Sequence, residues 1–174
     1  MKITKILGVL AAVFLAATLS GVAAAQDHAT AKEVVAKVRE AAAALSKTGD
    51  LKQFDEKKSQ WVWKDTYVFV EDCDKGTTAA HPMKPEMVGQ SIAMIKDAKT
   101  GKSIDPDPAA FCKEVKEKPS GFWQEYSWPK PGEKEPSRKV SFYLSVKGTS
   151  YIVAAGVYDE KATVAELTKI SSMK

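Results

Sequence analysis

Apolar residues at helical spacing mark the first structured segment of the chain. Between residues 30 and 48, Val34, Val38 and Leu45 recur at intervals of four and seven among strong helix formers. Gly49 follows directly and is a typical stop signal for a helix. The pattern predicts one long amphipathic helix over residues 30–48.

Period-two patterns rich in aromatic and β-branched residues follow. Residues 67–72 and 77–80 read as two strands, and Asp74 and Gly76 between them suit a tight turn, so a β-hairpin is predicted. Three further extended segments, separated by a proline-rich connector and a turn at Gly148, predict a three-stranded antiparallel meander: residues 121–128, 139–147 and 151–158.

The segments between these strands complete the predicted architecture. Residues 82–106 are rich in Pro, Gly and Lys and read as a loop, after which Asp107 caps a helix over 108–118. A closing helix is predicted within 161–170. The sum is an α+β domain in which a long N-terminal helix packs beside a five-stranded antiparallel sheet.

The N-terminus has the pattern of a secretory signal peptide. Lys2 and Lys5 precede an apolar run over residues 6–22 that ends in three alanines, the last of which is Ala25. We expect cleavage after Ala25, which leaves residues 26–174 as a single exported domain in the periplasm or the medium. No other stretch approaches the roughly 20 apolar residues that cross a bilayer, so no membrane insertion is expected after cleavage.

Charge and motifs narrow the function classes. The chain has 26 basic and 22 acidic residues, but lysines and glutamates are interspersed, so nucleic acid is not an expected partner. It carries no glycine-rich phosphate loop, nucleophile elbow, zinc-protease motif or haem-attachment motif, and we predict neither enzymatic activity nor a cofactor. Its two histidines, His28 and His81, are too few to predict a metal cluster.

The chain has two cysteines, Cys73 and Cys112. In an oxidising compartment such a pair is more often a disulfide than a metal or catalytic site. The bridge would stabilise the fold by ~3 to 4 kcal/mol in the chain-entropy model. Two free thiols, or an exposed redox-active pair in a small periplasmic enzyme, are the alternatives.

Short motifs along the chain carry a family likeness. In order, they occupy residues 67–70, 74–76, 81–82, 87–89, 121–123, 126–131, 139–142 and 155–158. With these motifs the chain resembles a single Cache domain. The resemblance implies a PAS-like extracytoplasmic sensor fold whose concave sheet face holds a small metabolite, typically a short carboxylate. Members of the family are mostly the outer parts of chemoreceptors, sensor kinases and cyclase-type regulators.

A carboxylate ligand needs a cation or several donors in a partly dry pocket. Lys130, between two prolines, and Lys139, at the start of a strand, are the candidates; the alternative is that both are solvated surface lysines. By the period of two, Ser141 and Tyr143 share the face of Lys139.

Aromatic residues are the remaining candidates for the ligand site. Tyr126 and Trp128 share one face of their strand and either line the pocket or pack in the core. His81 either donates to a ligand or ends the second strand. Tyr158 either reaches the pocket rim or bonds to the backbone.

Two functions follow from these residues. The first is a sensor-type module that binds a small organic acid and feeds a signal-transduction system. The second is an accessory subunit that docks on a membrane-bound receptor or transporter and has no ligand of its own.

Overall fold

The computed structural model of the chain describes residues 28–159 and 161–173, and the predicted signal peptide lies outside them. The helices are α1 Ala31–Thr48, α2 Pro108–Glu117 and α3 Val164–Ser172, and the strands are β1 Val62–Trp63, β2 Thr66–Tyr67, β3 Phe69–Asp72, β4 Thr77–Ala80, β5 Phe122–Pro129, β6 Pro136–Ser145 and β7 Tyr151–Val157. None of these helices combines the length and apolar character needed to span a bilayer.

The long N-terminal helix forms as its sequence predicts. Thr30 caps α1 by accepting from the N–H of Glu33, whose side chain accepts in return from the backbone of Thr30. At the other end Gly49 has φ 66°, and its N–H donates to Leu45 O at 2.8 Å. The buried face includes Val34 and Val38, so this helix packs on the sheet through one apolar stripe.

An antiparallel sheet of five strands in the order β4-β3-β7-β6-β5 forms the centre of the domain. The hairpin β3-β4 and the meander β5-β6-β7 are both present, and β7 joins them by pairing with β3. This arrangement confirms the predicted α+β class with a long N-terminal helix beside a five-stranded sheet.

Alternation along the strands divides the core into two layers. Trp123 and Phe142 point toward the side that α1 and α3 cover, where they join Val34, Val38 and other apolar side chains. Their chain neighbour Tyr143 points the other way and packs with Phe111 of α2 and Ile92 of the segment that follows β4. The second layer therefore lies between the sheet and a cover made of α2 and the 81–106 segment.

Two strand boundaries differ from prediction. The single strand expected over 67–72 is divided between β2 and β3, because the N–H of Val68 donates to Trp61 O at 2.8 Å; β2 pairs with β1 in a separate two-stranded ribbon. Strand β6 begins at Pro136 rather than at residue 139. The proline is tolerated there because β6 meets β7 only from Val140 onward.

The cover is attached to the sheet by a covalent bond. Cys73, directly after β3, forms a disulfide with Cys112 of α2, and their Cα atoms are 5.7 Å apart. The predicted bridge is thus present in the structure, and it holds the second core layer closed at one end. The segment predicted as loop contains two single-turn 3₁₀ helices, Pro85–Met87 and Ile92–Met94.

Removing the disulfide should loosen this cover. The bridge links residues 39 positions apart, so the double variant Cys73→Ser/Cys112→Ser should lose about 3 to 4 kcal/mol and melt about 10 °C lower. Thermal unfolding followed by circular dichroism measures the change. A melting temperature equal to that of the unreduced wild type would contradict a structural role for the bridge.

Candidate functional site

A cavity of about 30 Å³ lies between the sheet and its cover. Its walls come from four strands, from the covering segment and from α2. The lining residues are Tyr67, Phe69, Glu71, His81, Met87, Ile92, Ile95, Ile104, Asp105, Phe111, Tyr126, Trp128, Lys139 and Tyr143. Apolar and aromatic side chains predominate, with a few polar groups among them, as in many small-molecule sites.

Lys139 is the dominant electrostatic feature of the cavity. Its side chain is fully buried, and its Nζ has no hydrogen-bond partner within residues 28–159 and 161–173. Nζ lies 4.3 Å from the ring centre of Tyr67, 5.3 Å from that of Phe69 and 5.4 Å from that of Tyr158. These rings attract the ammonium group through their faces, but they do not replace hydrogen bonds to water.

Burial lowers the pKa of Lys139 to about 7, because the charged form loses its hydration. The charge of Lys84 lowers it further, whereas the charge of Asp65 acts in the opposite direction. Asp65 is itself buried and accepts hydrogen bonds from elsewhere, at 2.6 Å from Nδ1 of His28 and at 2.8 Å from the N–H of Ala29. The charge of Asp65 therefore acts on the ammonium group of Lys139, although the two side chains form no ion pair.

Gly156 makes room for the lysine side chain. A Cβ atom at this position would lie 2.6 Å from Cε of Lys139 and 2.7 Å from Oγ of Ser141. Gly156 pairs with Ser141 across β6 and β7, so the lysine chain passes directly over its Cα. A side chain at position 156 would therefore have to displace Lys139.

Hydrogen bonds fix the aromatic wall of the site. The hydroxyl groups of Tyr126 and Ser141 are 2.8 Å apart, and Nε1 of Trp128 donates to the hydroxyl of Tyr67 at 2.9 Å. Burial raises the pKa values of Tyr67 and Tyr126 above the ordinary value, so both phenols stay neutral. They present polar, uncharged groups to the cavity.

His81 adds a neutral donor. Its Nδ1 accepts from the N–H of Lys84 at 3.0 Å, which leaves Nε2 to carry the ring proton. Burial lowers the pKa of His81 to about 3, and the charges of Lys139 and Lys84 contribute in the same direction. The imidazole is therefore uncharged at neutral pH.

The far end of the cavity is acidic. Burial raises the pKa of Glu71 to about 8, and the charge of Asp105 adds to the shift. The pKa of Asp105 is also raised by burial, and its Oδ1 accepts from Nε2 of Gln124 at 2.7 Å. The cavity thus has a cationic end at Lys139 and an acidic end at Glu71.

The structure brings five of the seven predicted ligand residues to this cavity, namely His81, Tyr126, Trp128, Lys139 and Tyr143. Lys130 does not line it. Strand β5 ends at Pro129, and the chain then turns outward, so Lys130 lies in a neighbouring groove with Lys84 and Lys134. The hydroxyl of Tyr158 donates to Pro129 O at 2.8 Å, which is the backbone contact predicted as its alternative.

Sequence reasoning missed the residues that the cover contributes. Ile92, Ile95, Ile104 and Asp105 belong to the segment predicted as plain loop, yet they form one wall of the cavity. The spaced isoleucines in an otherwise polar stretch were a usable signal. Glu71 of β3 is a further lining residue that the sequence patterns did not predict.

Comparison with known proteins assigns the family. The Cache domain model dCache_2 matches residues 51–163, well over half of the chain. The chain belongs to the Cache family. The likeness predicted from the sequence motifs is thereby confirmed. Cache sensor domains are typically non-enzymatic, and no cluster of three or more potential metal ligands occurs in the part of the chain that the structure describes.

This Cache domain is similar to part of a chemoreceptor. It is 29% identical over 94 residues to the methyl-accepting chemotaxis protein McpP of Pseudomonas putida KT2440. The match covers 54% of this chain but 16% of McpP, so the chain spans only a small part of that relative.

Solved structures show the same fold. A Cache chemosensory domain studied for its carboxylic acid recognition is 25% identical, with a TM-score of 0.51, and the match covers 72% of this chain and 86% of that one. A methyl-accepting chemotaxis protein from Vibrio parahaemolyticus is 20% identical, with a TM-score of 0.56, over 74% of this chain and 88% of the other. A periplasmic sensor domain of a chemotaxis protein is 22% identical at a TM-score of 0.51, over 72% and 87%.

The role of Gly156 can be tested by adding one methyl group to the Cache domain. Gly156→Ala should push the Lys139 side chain from its position and cost about 1 to 3 kcal/mol of stability through overpacking. Pairing it with Lys139→Ala, which removes the atoms that the new methyl would strike, should recover much of that loss. Denaturant unfolding of both single variants and the double variant gives the coupling; purely additive losses would contradict the proposed contact.

Proposed function

We propose that this Cache domain binds a short organic carboxylate in the cavity, with the ammonium group of Lys139 as its counter-ion. The observation that carries the proposal is a fully buried lysine whose Nζ has no partner among the residues described. Burying such a charge is costly unless it is paired, and a carboxylate would supply both the opposite charge and hydrogen-bond acceptors. Carboxylic acid recognition by a structurally similar Cache chemosensory domain supports the same ligand class.

The surroundings of Lys139 suit a small acid. The cavity is small, at about 30 Å³, which favours a short acid. The Nε2–H of His81 and the hydroxyl of Tyr126 are neutral donors on the same wall, and they can bind carboxylate oxygens without adding charge. Acetate and propionate are therefore the first probes.

We also infer where the domain acts. The predicted signal peptide would export residues 26–174, and a periplasmic sensor domain is among the structurally similar proteins. Binding in that compartment would report the concentration of an external acid to a signalling partner. A membrane-bound receptor or transporter is the class of partner that the family relationship favours.

Replacing Lys139 tests the counter-ion directly. Wild-type protein in acetate or propionate at 100 times Kd should gain about 2.7 kcal/mol and melt roughly 5 to 10 °C higher. Lys139→Met should abolish this gain because the methionine side chain fills most of the same space but lacks the charge. Without ligand the variant should melt at or above the wild-type temperature, since it no longer buries an unpaired cation.

The matched control is Lys130→Met, which makes the same change in the neighbouring groove. It should keep the ligand-induced shift. Equal loss of the shift in both variants, or no shift of the wild type with any short acid at millimolar concentration, would reject the proposal in favour of an accessory subunit without a ligand.

Acid binding should depend on pH through Lys139. Its pKa is about 7 without ligand, and a bound carboxylate stabilises the ammonium form and raises that value. Above pH 7 the complex therefore holds more protons than the free protein. The affinity for the acid is at its maximum below pH 7 and falls as the pH rises. Between pH 6 and pH 8 the affinity for propionate should drop about tenfold.

Isothermal titration in two buffers of different ionisation enthalpy measures both the affinity and the protons taken up. Glu71 also titrates near pH 8, so the Glu71→Gln variant is measured in parallel to remove its contribution. His81, whose pKa is about 3, stays neutral over this range. An affinity that does not change between pH 6 and pH 8 would contradict the role of the lysine.

A further inference from the structure

The acidic end of the cavity holds a second buried polar group without a partner. Glu71 is 4% exposed, and its Oε2 has no hydrogen-bond partner in the described portion of the chain. It lines the same cavity as Lys139, yet it makes no ion pair with that lysine. The hydroxyl group of Thr78 acts on Glu71 as a hydrogen-bonding neighbour that lowers its pKa, so the unsatisfied part is one carboxyl oxygen, and leaving that oxygen without a donor costs stability.

The strand geometry separates the two ends. Phe69 and Glu71 point to the same face of β3, and two residues along a strand are about 7 Å apart. Across β7, Phe69 pairs with Ala154 and Glu71 with Ile152, whereas Val140, the neighbour of Lys139, pairs with Val157. Along the strand direction Phe69 therefore lies between Glu71 and Lys139, and the ammonium group of Lys139 is 5.3 Å from the ring centre of Phe69.

Neighbouring groups add acceptors at the Glu71 end. Asp105 also lines the cavity, and Gln124, which donates to Asp105, has a buried Oε1 with no partner in the described ranges. Gln124 itself does not line the cavity, so Oε2 of Glu71 is the unpartnered carboxyl oxygen among the described residues that line it. A ligand can supply a donor from an O–H or N–H group.

We propose that Glu71 is a second ligand-recognition residue, which accepts a hydrogen bond from an O–H or N–H group at the end of the ligand remote from its carboxylate. The inference rests on the proposed function, since the carboxylate at Lys139 orients the ligand. The substrate class is then a short ω-substituted organic acid, whose aliphatic middle lies along Phe69. With a pKa of about 8, the carboxyl group of Glu71 is mostly protonated at pH 7 in the free protein, and its carbonyl oxygen is then the acceptor.

Matched sets of acids test this assignment. Propionate is compared with 3-hydroxypropionate and β-alanine, and butyrate with 4-hydroxybutyrate and 4-aminobutyrate, by isothermal titration at pH 7. For wild-type protein, at least one donor-bearing acid should bind about tenfold more tightly than the unsubstituted acid of its set. Tighter binding of the amine identifies an ammonium donor, and tighter binding of the alcohol identifies a hydroxyl donor.

Two substitutions assign the preference to Glu71. Glu71→Leu removes the acceptor, so the affinity ratio between the donor-bearing and unsubstituted acids should fall to about one. Glu71→Gln keeps a carbonyl acceptor without the charge, so it should retain a preference for the alcohol and lose a preference for the amine. Glu86→Gln, a control on the exposed part of the covering segment, should keep the wild-type ratio.

The outcomes separate this inference from the proposed function. If the wild type binds propionate and butyrate as tightly as their substituted forms, or if Glu71→Leu leaves the ratio unchanged, the role of Glu71 is overturned and that of Lys139 stands. If no acid binds, acetate included, both are overturned. Folding of Glu71→Leu is checked by its melting temperature, which should equal or exceed that of the wild type because an unpaired buried carboxyl group is gone.

Discussion

The proposed site depends on one buried group, the ammonium group of Lys139, whose Nζ has no hydrogen-bond partner in the described part of the chain. A lysine at this depth is costly, because burial removes its hydration and the aromatic rings around it replace only part of the lost interaction. The pKa of about 7 expresses that cost. Under the proposed function, the unpaired ammonium group lowers the stability of the free protein. A bound carboxylate would pair with it and raise the stability again.

The fold directs the Lys139 side chain into the cavity and leaves space for it. Alternation along β6 turns Lys139 and Tyr143 toward the cavity while Val140 and Phe142 pack under α1 and α3. Gly156 on the next strand leaves space for the lysine chain. The cover, which the Cys73–Cys112 disulfide ties to β3, forms the opposite wall of the cavity. The sheet, Gly156 and the cover that the disulfide holds therefore all shape the cavity around Lys139.

Local patterns were sufficient to predict the sheet and most of one cavity wall. The helix α1, the hairpin and the meander follow from periodicity and turn residues, and the period of two placed Tyr126, Trp128, Lys139 and Tyr143 on the correct face. The opposite wall was not predictable in this way. Ile92 and Asp105 reach the cavity only because the 81–106 segment folds back over the sheet, a long-range contact that strand periodicity does not reveal. Lys130 lies outside the cavity for a related reason, since the outward turn after Pro129 depends on where β5 ends.

The most direct test of a counter-ion role for Lys139 is its pKa, measured by NMR from the ¹³Cε and ¹⁵Nζ chemical shifts of lysine-labelled protein. The resonance of Lys139 is assigned by its absence from the spectrum of Lys139→Met. The account predicts a pKa of about 7 without ligand and a clear rise when acetate or propionate is added. A pKa near the ordinary lysine value of about 10.4, unchanged by either acid, would contradict it.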